Sequence, residues 1–242
     1  MHLTRFRLNT ARGGARRLLA SPRAMHAAVV NAFPEVLPTD PDTPRVLWRV
    51  DRNAKAEVFL YIVSPTPPDL THVVEQAGWK QRSNWQTYDY DPFLSRLAKG
   101  DTWAFRLTAN PVHSVRRGDG EPTKVTAHVT PRHQMQWLLQ RQEAAGFRIL
   151  EKPREQRLLP EGDEYELLVH ERRDRSFDKP AEDREAQTKG RERRKRRVTL
   201  VTATFDGRLE VVDPELLRRT LTHGLGRAKA YGCGLMTLAP VG

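Results

Sequence analysis

Hydrophobic and polar positions alternate along residues 2–8, with Thr4, Phe6 and Leu8 set against Leu3, Arg5 and Arg7, and this period of two predicts a strand. Gly13-Gly14 is expected to break the chain after it. Ser21-Pro22 then gives the signal of a helix start. Over residues 23–33 Met25, Val29, Val30 and Phe33 form one apolar stripe that stops before Pro34. Strands are expected at 45–50 and 56–63, the second apolar and β-branched and closed by Pro65-Thr66-Pro67-Pro68. A helix at 70–76 and a strand at 102–109 complete the order strand, helix, strand, strand, helix, strand.

The pattern restarts at Pro131. A helix running through Met135, Trp137, Leu138, Leu139 and Ala145 ends at Gly146, and strands follow at 147–150, 165–170, 198–205 and 208–212. Asp213-Pro214 caps a helix that reaches His223, and the last strand covers 235–238. Both halves fit a split βαβ unit. The expected fold class is therefore α+β, two tandem ferredoxin-like (RRM-like) domains over residues 1–120 and 121–242, each an antiparallel sheet with helices on one face. The likeness of the halves is one of pattern, without a sequence repeat.

Charge narrows the function. The 242 residues carry 41 Lys and Arg against 30 Asp and Glu, a net charge of +11, which favours a polyanionic partner held through counterion release. Cys233 is the only cysteine, so no internal disulfide and no cysteine-rich zinc site can form, and a small apolar residue is the expected role. No apolar run approaches the ~20 residues of a membrane-spanning helix. Residues 1–5 are not followed by the apolar core of a signal peptide. A soluble, cytoplasmic protein without a membrane partner is expected.

Two motifs point to phosphate. Gly224, Gly226, Gly232 and Gly234 form a double Gly-x-Gly with Arg227 and Lys229 between its halves, and glycine turns of positive φ can turn their N–H groups toward phosphate oxygens. Between Glu171 and Arg197 lie twelve Lys or Arg and seven Asp or Glu, densest at Arg191, Arg193, Arg194, Lys195, Arg196 and Arg197. Because the run lies between two expected strands, it reads as a long hairpin able to track the phosphates of folded RNA.

His26 follows Met25 on the first long helix, with Arg23 one turn before it. An imidazole there could take a proton from a 2′-hydroxyl or give one to a leaving 5′-oxygen, although a lone helical histidine is more often structural. His113, His128 and His133 show no spacing typical of a metal site, and a structural or solvent role is expected for each. Trp79, Trp85, Tyr88 and Tyr90 could stack on unpaired bases, but aromatics in such a segment more often pin a loop to the core.

Four stretches together resemble a known family, the CRISPR-associated CasE endoribonucleases, the repeat-RNA processing subunit of the type I-E Cascade complex. They are residues 1–9; Met25-His26 with Phe33-Pro34; residues 105–111; and residues 207–214 running into 224–240, where the spacing Gly-h-Gly-x5-Gly-h-Gly (h, apolar) matches at every position. The resemblance implies an endoribonuclease that cleaves CRISPR repeat RNA on the 3′ side of a stem-loop without metal or cofactor. It leaves 2′,3′-cyclic phosphate and 5′-hydroxyl ends and stays on the crRNA hairpin beside the other Cascade subunits, the backbone protein at the 3′ end of the guide among them. By the same resemblance His26 is the catalytic histidine, Lys229 the loop lysine, and Arg172 and Arg173 the paired basic residues that meet the RNA stem. Two positions depart from the pattern. Arg23, a candidate to stabilise charge on the phosphorane, stands where many members have tyrosine, and Ala27 where some have arginine. A non-catalytic subunit capping the guide-RNA hairpin is the alternative reading.

Overall fold

The first sheet has β1 (His2–Leu8) as one of its two central strands. In the computed structural model, which describes residues 1–35, 43–80, 85–115, 118, 123–159, 162–179 and 196–241, β1 turns Thr4, Phe6 and Leu8 inward. Two helices follow, α1 (Gly13–Ala20) and α2 (Pro22–Val30), then β2 (Leu47–Arg52), β3 (Val58–Ser64), α3 (Thr71–Ala77) and β4 (Trp85–Asp89). The strands pair antiparallel in the order β2-β3-β1-β4, the ferredoxin-like order. Phe6, Met25, Val29, Leu60, Ile62 and Val73 form the core beneath the helices.

Gly13-Gly14 opens α1 rather than ending a segment. A Cβ on Gly14 would stand 2.3 Å from the carbonyl oxygen of Gln76, so this glycine lets α1 approach the end of α3. The Arg12 guanidinium then donates to the carbonyls of Val74 and Gly78 at 3.2 and 3.1 Å, satisfying the last turn of α3.

After the short helix α4 (Asp91–Arg96), β5 (Thr102–Ala109) starts the second sheet. The pattern placed this strand at the end of the first unit; its hydrogen bonds run to the second. Pairing changes sheet between Asp89 and Thr102 and not at residue 120. The physical reason lies in β4. It is an edge strand, with Gln86, Tyr88 and Asp89 exposed, so it lacks the apolar alternation that marks a strand. Next come a small hairpin of β6 (Val112–Val115) and β7 (Lys124–Ala127), then α5 (Pro131–Leu139), β8 (Phe147–Ile149), β9 (Leu167–Lys179), β10 (Arg196–Val211), α6 (Pro214–His223) and β11 (Met236–Pro240). The order β11-β5-β10-β8 repeats the ferredoxin-like arrangement, and β9 pairs with β10 beyond β8.

The strands expected at 198–205 and 208–212 are one continuous strand. Gly207 does not turn the chain; a Cβ there would lie 2.3 Å from the Glu166 carbonyl oxygen, so it admits the neighbouring chain. Leu107, Trp137, Phe205, Leu209, Leu217 and Leu221 build the second core, which also takes in Leu47 and Val63 from the first sheet. Arg49, 2% exposed, fastens the two units. It pairs with Asp51 at 2.7 Å and donates to the carbonyls of Arg106 and Leu235 at 2.8 and 2.9 Å and to the Thr237 hydroxyl at 2.7 Å. Cys233 is a buried free thiol whose pKa burial pushes up to about 12. Among the described residues no helix is long and apolar enough to cross a membrane.

Candidate nucleic-acid interface

The Ser21 hydroxyl caps α2 by accepting from the Ala24 N–H at 3.2 Å, and Pro22 fits the first turn, where its missing N–H costs nothing. Met25, Ala28 and Val29 then bury the inner stripe and leave His26 on its flank, half-buried. Its Nδ1 is enclosed without a hydrogen-bond partner among the described residues, and burial holds the imidazole pKa below its ordinary value. Arg23 is exposed one turn earlier on the same helix. The helix rests against the tight turn of residues 229–231, and so the structure brings the segments bearing His26 and Lys229 together from opposite ends of the chain.

The glycine loop serves packing more than phosphate approach. Gly224, Gly226, Gly232 and Gly234 all have φ between 75° and 90°. A Cβ on Gly224 would meet Leu47 at 2.8 Å, on Gly226 the Trp137 ring at 3.0 Å, on Gly232 the Trp48 ring at 2.6 Å, and on Gly234 the Leu225 carbonyl oxygen at 2.9 Å. The N–H groups of Gly224, Gly232 and Gly234 donate to protein carbonyls. Those of Gly226, Arg227 and Ala228 donate to no backbone carbonyl among the described residues, and Ala228 itself is left-handed at φ 62°. The part of the loop able to meet an anion is therefore residues 226–229. Lys229 is half-buried there, and burial followed by the charge of Arg45 lowers its pKa.

Opposite α2 stands the β9–β10 ribbon. A bulge at Thr202/Thr204, with Glu171 at φ 49°, shifts the register so that Arg173 faces Thr202 and Arg175 faces Leu200. Arg173 and Arg175 thereby line a cleft of about 110 Å³ whose other wall includes Pro22, Met25, Trp48 and Arg52. Strand alternation sends Arg172 to the opposite face, where it pairs with Asp174 at 2.8 Å, so the two adjacent arginines do not act from one side. Arg173 pairs with Glu171 at 3.0 Å. Such exposed pairs are worth about 0–1 kcal/mol and exchange readily for phosphate. Arg175 has no carboxylate partner among the described residues, and burial, then the charges of Arg173 and Arg52, lower its pKa.

Arg191, Arg193, Arg194 and Lys195 lie outside the described residues, while Arg196 and Arg197 begin β10 opposite Lys179 and Asp178. Sequence reasoning passed over Arg52 and Arg175 as individuals. The signal for Arg175 was the period-two spacing from Arg173, which counts only once the strand is known to continue past His170.

A family described as CRISPR associated protein matches residues 1–240. The CRISPR-associated endoribonuclease Cse3 of Thermus thermophilus is 33% identical over 241 residues, 99% of this chain and all of that one. The structure of Thermus thermophilus Cse3 bound to an RNA representing a pre-cleavage complex superposes with TM-score 0.70 at 30% identity, covering 99% of this chain and 98% of that one. A chain of a CRISPR RNA-guided surveillance complex, 20% identical with TM-score 0.65 and covering 100% of both chains, shares the fold.

Proposed function

The chain belongs to the CRISPR-associated CasE (Cse3) family, and from that premise we propose that it is a metal-independent endoribonuclease that cuts CRISPR repeat RNA at the 3′ side of a stem-loop. The observation that carries this reading is the half-buried His26, its Nδ1 without a partner among the described residues, on a helix set against the Lys229 turn beside an arginine-lined cleft. The RNA's own 2′-oxygen attacks the adjacent phosphorus, the bond from phosphorus to the 5′-oxygen breaks, and the ends are a 2′,3′-cyclic phosphate and a 5′-hydroxyl. Burial keeps His26 neutral near pH 7, the form that accepts the 2′-hydroxyl proton. Lys229 and Arg23 offset the charge that builds on the phosphorane. Most of the rate comes from holding a flexible RNA in line for attack, since proton transfer supplies about 10²–10⁴-fold.

Arg173 and Arg175 hold the stem backbone from the cleft side, Arg172 meets RNA from the other face of the ribbon, and the basic run 191–197 adds charge for the RNA backbone. After cleavage the protein keeps the crRNA hairpin and sits with the other Cascade subunits, beside the backbone protein at the 3′ end of the guide. The family name of its 33% identical relative, an endoribonuclease, supports catalysis. Arg23 and Ala27, which depart from the family pattern beside His26, favour the second reading, a cap that binds without cutting.

The test is single-turnover incubation of excess protein with its repeat hairpin in EDTA, beside a copy with one 2′-deoxy sugar at the cut. Cleavage of the first and sparing of the second is the expected result. Tight binding with neither RNA cut would identify the cap.

A further inference from the structure

Against the glycine loop lies a cavity of about 190 Å³ whose lining includes Asn110, His113, Ser114, Arg141, Gly226 and Arg227. Its polar lining is basic or neutral. Among the described residues neither arginine has a carboxylate within ion-pair distance. The Arg141 guanidinium sits 4.5 Å from the centre of the Trp137 ring and donates to the Trp137 carbonyl at 2.8 Å, so it is fixed in place without a counter-charge. Burial lowers its pKa, the mark of a cation held partly out of water. Next to it the His113 and His128 rings are 4.4 Å apart, and His133 is 5.9 Å from His128, so two further imidazole rings stand beside the one that lines the cavity; burial, then the neighbouring His113, His133 and Arg141, holds the His128 pKa below its ordinary value. The Asn110 Oδ1 is buried with no donor, and the N–H groups of Gly226 and Arg227 meet no backbone carbonyl among the described residues. Three kinds of group therefore wait for a partner: guanidinium and amide donors that suit a phosphate, and a carbonyl acceptor that suits a ribose hydroxyl.

We propose that this cavity is a second RNA subsite, which takes a backbone phosphate and its ribose from the single strand that runs past the cut, away from the stem. The inference rests on the hairpin-cleavage reading. The same loop presents Lys229 to α2 and, three residues earlier, Gly226 to this cavity, at most roughly 10 Å of extended chain. A strand leaving the scissile position crosses that distance in about one or two nucleotides. The stem is held at the arginine cleft, whose lining shares no residue with this cavity, so the subsite grips only what becomes the released product. Its loss after cleavage removes that grip while the hairpin stays bound.

Binding of two uncleavable repeat RNAs with 2′-deoxy at the cut tests this, one ending at the cut and one continuing several nucleotides beyond it. Wild-type protein is expected to bind the longer RNA about 10-fold more tightly, with a salt slope steeper by about 0.7 for each phosphate held. Arg141→Gln and, separately, His113→Gln at an exposed position are expected to remove most of that advantage while leaving the shorter RNA's affinity within about twofold. Wild-type protein indifferent to length, or both variants keeping the full advantage or weakening both RNAs alike, overturns the subsite and leaves the cleavage reading intact. Failure of wild-type protein to bind either RNA overturns both.

Discussion

Helices α2 and α5 occupy corresponding places in the two ferredoxin-like units and begin in the same way, yet their histidines have different surroundings. Each is nine residues long, starts with proline, and is capped by a hydroxyl, Ser21 accepting from Ala24 and Thr130 from His133. In α5 the His133 side chain is exposed and its Nδ1 lies 2.9 Å from the Thr130 hydroxyl oxygen, so the ring is tied into the cap. In α2 the histidine lies two positions further along, at the edge of the buried stripe, and its Nδ1 has no partner among the described residues. A shared scaffold thus gives one imidazole a local structural bond and leaves the other without one among the described residues. Position on the helix, more than residue type, separates the two surroundings.

The comparison breaks most sharply on mutation. His26→Ala is expected to cut single-turnover cleavage about 100-fold or more while hairpin affinity stays within about twofold. His133→Ala should change cleavage less than twofold; equal losses from both would remove the distinction. The next effect is on stability and sharpens the contrast between glycines. Gly232→Ala, with φ 81° and the Trp48 ring 2.6 Å from the added Cβ, should cost about 1–3 kcal/mol from overpacking, with backbone strain in addition. Gly100→Ala has φ 89° but open space around it, so only the smaller backbone cost, about 1 kcal/mol, is expected. Denaturant midpoints measured side by side check the order.

A smaller effect separates the two faces of the β9–β10 ribbon. Charge reversal at Arg173 or Arg175 should weaken hairpin binding and reduce the salt slope by about 0.9 for each phosphate no longer neutralised, and Arg172→Glu by less. Equal slopes would return the adjacent arginines to one role. The gentlest test is pH. With its pKa below the ordinary 6.5, His26 acting as a base gives a cleavage rate that rises with pH through an inflection under 6.5 and is level at neutrality. The same shift contributes stability above pH 6.5 that is lost as pH falls through the lowered folded value, and His26→Ala should remove that contribution. A rate that instead falls as pH rises through the inflection would make His26 the acid.

What could be read in advance followed the strength of the local signal. The Ser21-Pro22 start and the Asp213-Pro214 cap each encode their element locally and stand in the structure, as do Met25 and Val29 of the α2 stripe, whereas Val30 is 47% exposed and the helix ends there, before Phe33. Edge strand β4 was missed because its exposed residues are polar, and that miss handed β5 to the wrong sheet. The glycine spacing was visible, but its cause was not. Only the fold shows that Trp48 and Trp137, from distant segments, fill the space where side chains would sit. His26 is proposed for chemistry through resemblance, whereas Arg175 and the Asn110–Arg141 cavity depend on the meeting of segments far apart in the chain.

Arg49 carries a consequence for modularity. Two units with the same strand order invite separation at the crossover between Asp89 and Thr102, as interchangeable building blocks. A cut there would strip the buried guanidinium of the Arg106, Leu235 and Thr237 oxygens that satisfy it and expose the apolar faces of Leu47 and Val63. The duplication visible in the topology is therefore absent from the thermodynamics: the halves inherit or lose their foldedness as a single unit.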